Sequence, residues 1–161
     1  MARASPWSRT PTRIDLARLR CCRIYLLDTN VVSELRRTKP HGSVLAWIDS
    51  VPDDALYVSA VTLAEIQTGI EMTRAQDPQK AATLEAWLDQ MAGTFNVLPM
   101  DGVVFRTWAK LMHQQSDALY EDAMIAATAK VHKLKVVTRN VTDFKAFGVP
   151  LLNPFNVKQR F

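Results

Sequence analysis

The sequence predicts one α/β domain built on a mainly parallel sheet, with helices packed on both faces. Three observations carry this. The chain has 161 residues, enough for one hydrophobic core and too few for two. Short apolar runs alternate with segments of helical length from residue 24 to residue 152. The runs are continuously apolar instead of alternating apolar and polar, as expected for strands covered on both faces. Sheets of this kind gather their working residues at the carboxyl ends of the strands.

The elements follow in order. Ile24, Tyr25, Leu26 and Leu27 form the first buried strand, ending at Asp28. Thr29 and Asn30 can cap a helix running through Ser33, Glu34 and Arg37. Pro40 and Gly42 interrupt the chain before a short amphipathic helix whose apolar side is Val44, Leu45, Trp47 and Ile48. Leu56, Tyr57 and Val58 make a second strand, and a helix spans 60 to 74. Pro78 opens another helix, a position where its missing N–H costs nothing. Val97 and Leu98 are a third strand. Asp101 caps a helix through Val104, Phe105, Trp108, Leu111 and Met112. An alanine-rich helix covers 119 to 132, and Val136 and Val137 form a fourth strand leading to Thr138, Arg139 and Asn140. Asp143 starts a short helical turn through Phe144 and Phe147, ended by Gly148 and Pro150, and Leu151 with Leu152 adds an edge strand.

The formal charge of +4 invites a nucleic-acid reading. The excess is confined to residues 1–23, where six arginines face one acid. Residues 24–161 hold fourteen basic and fifteen acidic side chains. An argument for nucleic acid must therefore rest on a site. Residues 1–23 are expected to be a disordered basic extension or the product of a start placed too far upstream. The domain proper occupies 24–156, with 157–161 as a tail. Cys21 and Cys22, adjacent and alone, exclude a disulfide framework and a cysteine zinc site. No apolar run approaches membrane-spanning length, and a cytoplasmic protein is expected.

Four carboxylates stand out by position. Asp28 closes the first strand, and Asp143 follows the fourth. Asp122 lies in the first turn of the helix feeding that strand, and Glu65 sits mid-helix among Val61, Leu63, Ala64, Ile66 and Ile70. Singly, each has an ordinary explanation: Asp28 and Asp143 as helix caps, Asp122 as a dipole partner, Glu65 as a solvated face. Together they describe an all-oxygen site, which repels itself unless a cation neutralises it and which suits Mg²⁺ or Mn²⁺. Thr29, Thr138 and Asn140 are placed to support such a site or to touch a substrate phosphate. Glu121 reads as solvated, with an extra ligand to the site as the alternative. Trp47, Trp87 and Trp108 read as core, and Leu84, Trp87, Leu88 and Met91 as core in preference to a partner-binding stripe.

Four segments, Leu27 to Leu35, Ser59 to Ile66, Glu121 to Ala129 and Thr138 to Phe144, resemble in order and spacing the signature segments of PIN-domain proteins, in the branch of the VapC/FitB-like toxins. The resemblance covers 24 to about 156. It implies a three-layer α/β/α sandwich with a central five-stranded parallel sheet. It implies Asp28, Glu65, Asp122 and Asp143 as metal-binding catalytic acids, and Mg²⁺- or Mn²⁺-dependent hydrolysis of structured RNA such as tRNA or rRNA. It also implies a homodimer held inactive by a small cognate VapB/FitA-like antitoxin, through which alone DNA is bound. Arg36, Arg37, Lys39 and Arg139 are the basic residues nearest the site and are expected to hold RNA. The alternative is a slow or inactive binding module, working as half of an antitoxin-bound, DNA-binding repressor. Phosphotransfer families fit less well: Asn30 stands where a haloacid-dehalogenase-like phosphatase needs a second Asp.

Overall fold

The structure, a computed structural model, describes residues 24–156. The expectations for 1–23 and 157–161, and for Cys21 and Cys22, lie outside these residues. Five parallel strands, β1 (Tyr25–Leu27), β2 (Leu56–Ser59), β3 (Asn96–Leu98), β4 (Lys135–Val137) and β5 (Leu151–Leu152), form one sheet in the order β3-β2-β1-β4-β5. The helices are α1 (Thr29–Glu34), α2 (Gly42–Asp49), α3 (Ala60–Arg74), α4 (Pro78–Thr94), α5 (Gly102–Met112), α6 (Tyr120–His132) and α7 (Val141–Phe144). The expected three-layer parallel architecture is what the chain adopts.

Strand periodicity explains the layers. Successive side chains point to opposite faces, so Tyr25 and Leu27 enter one core and Leu26 the other. The first core joins Leu27, Leu56, Val58 and Val137 to Val31, Val44, Trp47, Ile66, Ile70, Leu88 and Met91. The second joins Leu26, Tyr57 and Val136 to Ala123, Ile125, Ala126, Ala129, Phe144 and Phe147. Leu26 and Leu27 have no exposed surface, and burying such a side chain contributes about 1.5–3 kcal/mol. A charge at either position would end the sheet. Leu84 and Trp87 pack against the first core and Trp108 against the second.

Local chemistry sets the ends. Asp77 accepts from Lys80 N at 3.0 Å ahead of Pro78, and Asp101 accepts from Val103 N and Val104 N at 3.0 and 2.9 Å. Gly148, at φ +64°, takes the left-handed turn into β5 that a side chain would strain. Four expectations need correction. The cap of α1 is Asp28, with Thr29 already helical, because the Asp28 side chain accepts the Thr29 N–H. That helix stops at Glu34 instead of reaching Arg37; Leu35 N turns tightly onto Val32 O, with Pro40 close behind. Asp143 is not the cap of the last helix. It lies inside α7, which starts at Val141 after Asn140. Leu45, expected on the apolar side of α2, is 36% exposed.

The strand order reverses at β1. From there the chain builds outward to β2 and β3, then crosses back to place β4 on the other side. The carboxyl ends of β1 and β4 thus flank the switch point where open parallel sheets bind ligands.

Candidate active site

Asp28 follows β1 directly and is 3% exposed. Its backbone N–H extends the sheet to Val137 O at 3.0 Å, which locks it beside the end of β4. Its side chain is heavily engaged. Oδ1 accepts from Thr29 N at 2.7 Å. Oδ2 accepts from Thr138 Oγ1 and from Asn30 Nδ2, each at 2.6 Å. Two donors fill Oδ2, so the carboxylate has one lone pair left to offer, on Oδ1. Burial pushes its pKa up, and these hydrogen bonds pull it down.

Thr138 is itself buried and fixed, accepting from Asn30 Nδ2 at 3.2 Å and Asn140 N at 2.9 Å. Thr29, in the first turn of α1, donates its hydroxyl to Glu65 Oε2 and lies 3.4 Å from Thr62 Oγ1. One short motif therefore orients two acids: Asp28 through the Thr29 N–H, Glu65 through the Thr29 hydroxyl. Glu65 is partly buried on α3. Its pKa is raised by burial, opposed by Thr29, and raised further by the charges of Asp28 and Glu121.

Asp122, in the first turn of α6, is partly buried, and its pKa is pushed up to about 6. Burial is the largest cause, followed by the negative charges of Asp28, Asp143, Glu65 and Glu121. All four predicted acids thus share one electrostatic neighbourhood, drawn from β1, α3, α6 and α7. Asp143 is the exposed member.

Among the described residues, no three acid, histidine or cysteine side chains already stand close enough to enclose an ion. The donor set nonetheless fits a hard cation. It is all oxygen and mutually repulsive, with its innermost member fixed by three hydrogen bonds. An ion that keeps part of its water shell, as Mg²⁺ does, does not need a dedicated cage.

The supporting residues divide differently from expectation. Thr29 and Thr138 act through their hydroxyls, whereas Asn140 contributes its backbone N–H, and its side chain is exposed. Asn30, read from the sequence as a cap, clamps Asp28 instead. Glu121, read as a bystander, is exposed but charges the site from its rim. Of the expected basic residues, Arg36 and Lys39 are exposed in the turn after α1. Arg37 and Arg139 both pair with Glu34, at 2.9 and 3.2 Å. Glu34 itself was missed; its burial at 2% exposure has no sequence signature.

Beside Glu65 runs a groove of about 330 Å³, lined by Ala60, Ala64, Met100, Phe105, Glu121 and Met124. Among the described residues no helix is long and apolar enough to cross a membrane.

Comparison with known proteins agrees with this geometry. Residues 25–149 match the family described as PIN domain. The chain is 38% identical over 141 residues to "VapC ribonuclease Y4jK" of Sinorhizobium fredii, an alignment covering 81% of this chain and 96% of that protein. It is 37% identical to "Toxin FitB" of Neisseria gonorrhoeae, covering 81% and 98%. The crystal structure of FitAcB from Neisseria gonorrhoeae superposes with a TM-score of 0.73 at 36% identity, covering 83% of this chain and 100% of the other.

Proposed function

This chain belongs to the PIN-domain family, and from that premise we propose that it is a ribonuclease acting as the toxin of a toxin–antitoxin pair. The observation that supports this reading best is the four-carboxylate neighbourhood at the switch point, built on an Asp28 oriented by three donors. In this reading Asp28, Glu65, Asp122 and Asp143 hold Mg²⁺ or Mn²⁺. Such an ion supplies Lewis acidity and charge neutralisation at a phosphodiester. The chain's own residues do the positioning. Thr138 and Asn30 fix Asp28, and Thr29 fixes Glu65. In the same reading Arg36 and Lys39, both exposed, contact the phosphates of a structured RNA such as tRNA or rRNA.

The relatives supply the partner. The toxin FitB is seen with FitA, and FitAB is seen bound to a DNA fragment. By analogy this chain pairs with a small antitoxin that silences it in the cytoplasm and carries the DNA contact. A homodimer fits the surface of α5, which buries only Val104 and leaves Val103 61% and Phe105 44% exposed. Phe105→Glu is expected to turn a dimer into a folded monomer, read by light scattering coupled to gel filtration. An unchanged mass would place the interface elsewhere.

The test of function is cleavage of total cellular RNA by antitoxin-free protein with Mg²⁺, with Mn²⁺ and with EDTA. Discrete products that require the ion are expected. A folded, ion-binding protein that leaves RNA intact would favour the binding-module reading instead.

A further inference from the structure

Glu34 is a buried carboxylate outside the acidic site. A carboxylate at 2% exposure is costly unless fully paired, and three donors pair it. Oε1 accepts from Arg37 Nη1 at 2.9 Å and Arg139 Nη2 at 3.2 Å, and Oε2 accepts from His41 N at 3.1 Å. The Arg139 guanidinium also lies 3.8 Å above the Phe155 ring, whose centroid is 5.2 Å from that of the His41 ring, the two planes inclined at 61°. The side chain of Arg139 is therefore gripped between a buried anion and an aromatic face.

The backbone of the same residue reaches the active site. Arg139 N donates to Asn30 Oδ1 at 3.1 Å. That bond sets which way the Asn30 amide faces, so that Nδ2 points at Asp28 Oδ2 and Thr138 Oγ1. We propose that Glu34, Arg139 and Phe155 form a clasp that positions Asp28, through Asn30, for divalent-cation binding. Arg139 is then a positioning residue, not chiefly an RNA contact. The clasp joins the end of α1 to the loop after β4, the two segments that carry Asp28's donors, and both residues of the Asn30–Arg139 bond belong to those segments. The inference rests on the ribonuclease reading only in assigning the cation to catalysis; the cation-binding part stands without it.

The test measures Mn²⁺ affinity without RNA, by electron paramagnetic resonance of the free ion, for the wild type, Glu34→Gln, Arg139→Ala, the double variant and Phe155→Leu. Groups that orient a metal ligand typically contribute 10- to 100-fold in affinity or activity. Each single variant is expected to weaken Mn²⁺ binding about tenfold, and the double variant no more than the weaker single, because both break one device. On RNA, kcat falls and KM stays within about twofold. Circular dichroism monitors folding; should Glu34→Gln unfold, Phe155→Leu loosens the clasp from its surface side and carries the test. Unchanged Mn²⁺ affinity in the folded variants, with a raised KM and a shallower salt dependence for Arg139→Ala, would overturn the proposal and make Arg139 a phosphate contact. A wild type that binds Mn²⁺ but cleaves nothing would defeat the ribonuclease reading while leaving the clasp to be judged by the affinities.

Discussion

Asp28→Asn is expected to cut RNA cleavage on the order of a thousandfold while the protein still folds, the upper end of the roughly 10²- to 10³-fold that losing one preorganised group stabilising a transition state costs. The substitution is nearly isosteric, and asparagine caps helices about as well as aspartate. Its weakness is at the hydrogen bonds. With the amide oxygen facing Thr29 N, its NH₂ meets the Asn30 Nδ2 donor; flipped, its NH₂ meets the Thr29 N–H. Either orientation leaves one donor facing another, a cost of about 1–3 kcal/mol. Removing a buried charge that is repelled by Asp122 and Glu65 offsets part of this. The measurement is single-turnover cleavage beside a thermal melt. Wild-type cleavage from a folded variant would remove Asp28 from the site, and with it the proposed role of the Asn30–Thr138 pair.

The order of strands and helices was legible from residue 24 onward because it depends on local signals. An apolar run of three or four residues, a proline at a helix start and an aspartate ahead of one are each readable within a single turn. Gln79 to Thr94 follow Pro78 as a helix for that reason, and Asp101 announces α5 for the same one. The four acids were legible as positions, since each stands at an element end or amid apolar neighbours, and the PIN-domain resemblance tied them together. The network that orients them was not. Thr138 and Asn30 lie 108 residues apart, and Thr29 and Glu65 36 apart. Such pairings exist only after the sheet has brought β1, β4 and α3 together.

Glu34 shows the same limit from the other side. In sequence it is one more acid before Arg36 and Arg37, an ordinary charged helix end. In the fold it is among the most buried side chains and takes up Arg37 and Arg139. Two of four basic residues expected to hold RNA are thereby partnered within the protein. Asp143 was misplaced by one local rule: a carboxylate ahead of Phe144 looks like a cap, but Asn140 precedes the helix and puts Asp143 inside it. That placement turns the carboxylate toward the neighbourhood of Asp122.

The repulsion that identifies the site also predicts how the metal-free protein responds to pH. Asp122 titrates near 6 in the folded chain and near 3.8 when unfolded. The folded state therefore holds this proton more tightly than the unfolded state does. Its favourable contribution is fully present below about pH 3.8 and is lost as pH rises through 6. Above 6 both states are ionised, and the folded one bears the cost of the charge. A shift of this size is nominally about 3 kcal/mol; with the side chain only partly buried, solvent screening reduces it to about 1 kcal/mol. Asp122→Asn carries no such charge. In EDTA it is expected to melt above the wild type at pH 8, by several degrees for a domain of this size. The gap should narrow through pH 6 and close near pH 4. Asp28 and Glu65 remain in both proteins, so their own titrations largely cancel from the difference. Adding Mn²⁺ at pH 8 should reverse the order, because the wild type then gains an ion for the charge it carries and the variant binds that ion less tightly. A difference in melting temperature that ignores pH would mean that Asp122 does not share its field with Asp28, Glu65 and Asp143. A wild type that gains nothing from Mn²⁺ would mean that the shared field is not relieved by a cation.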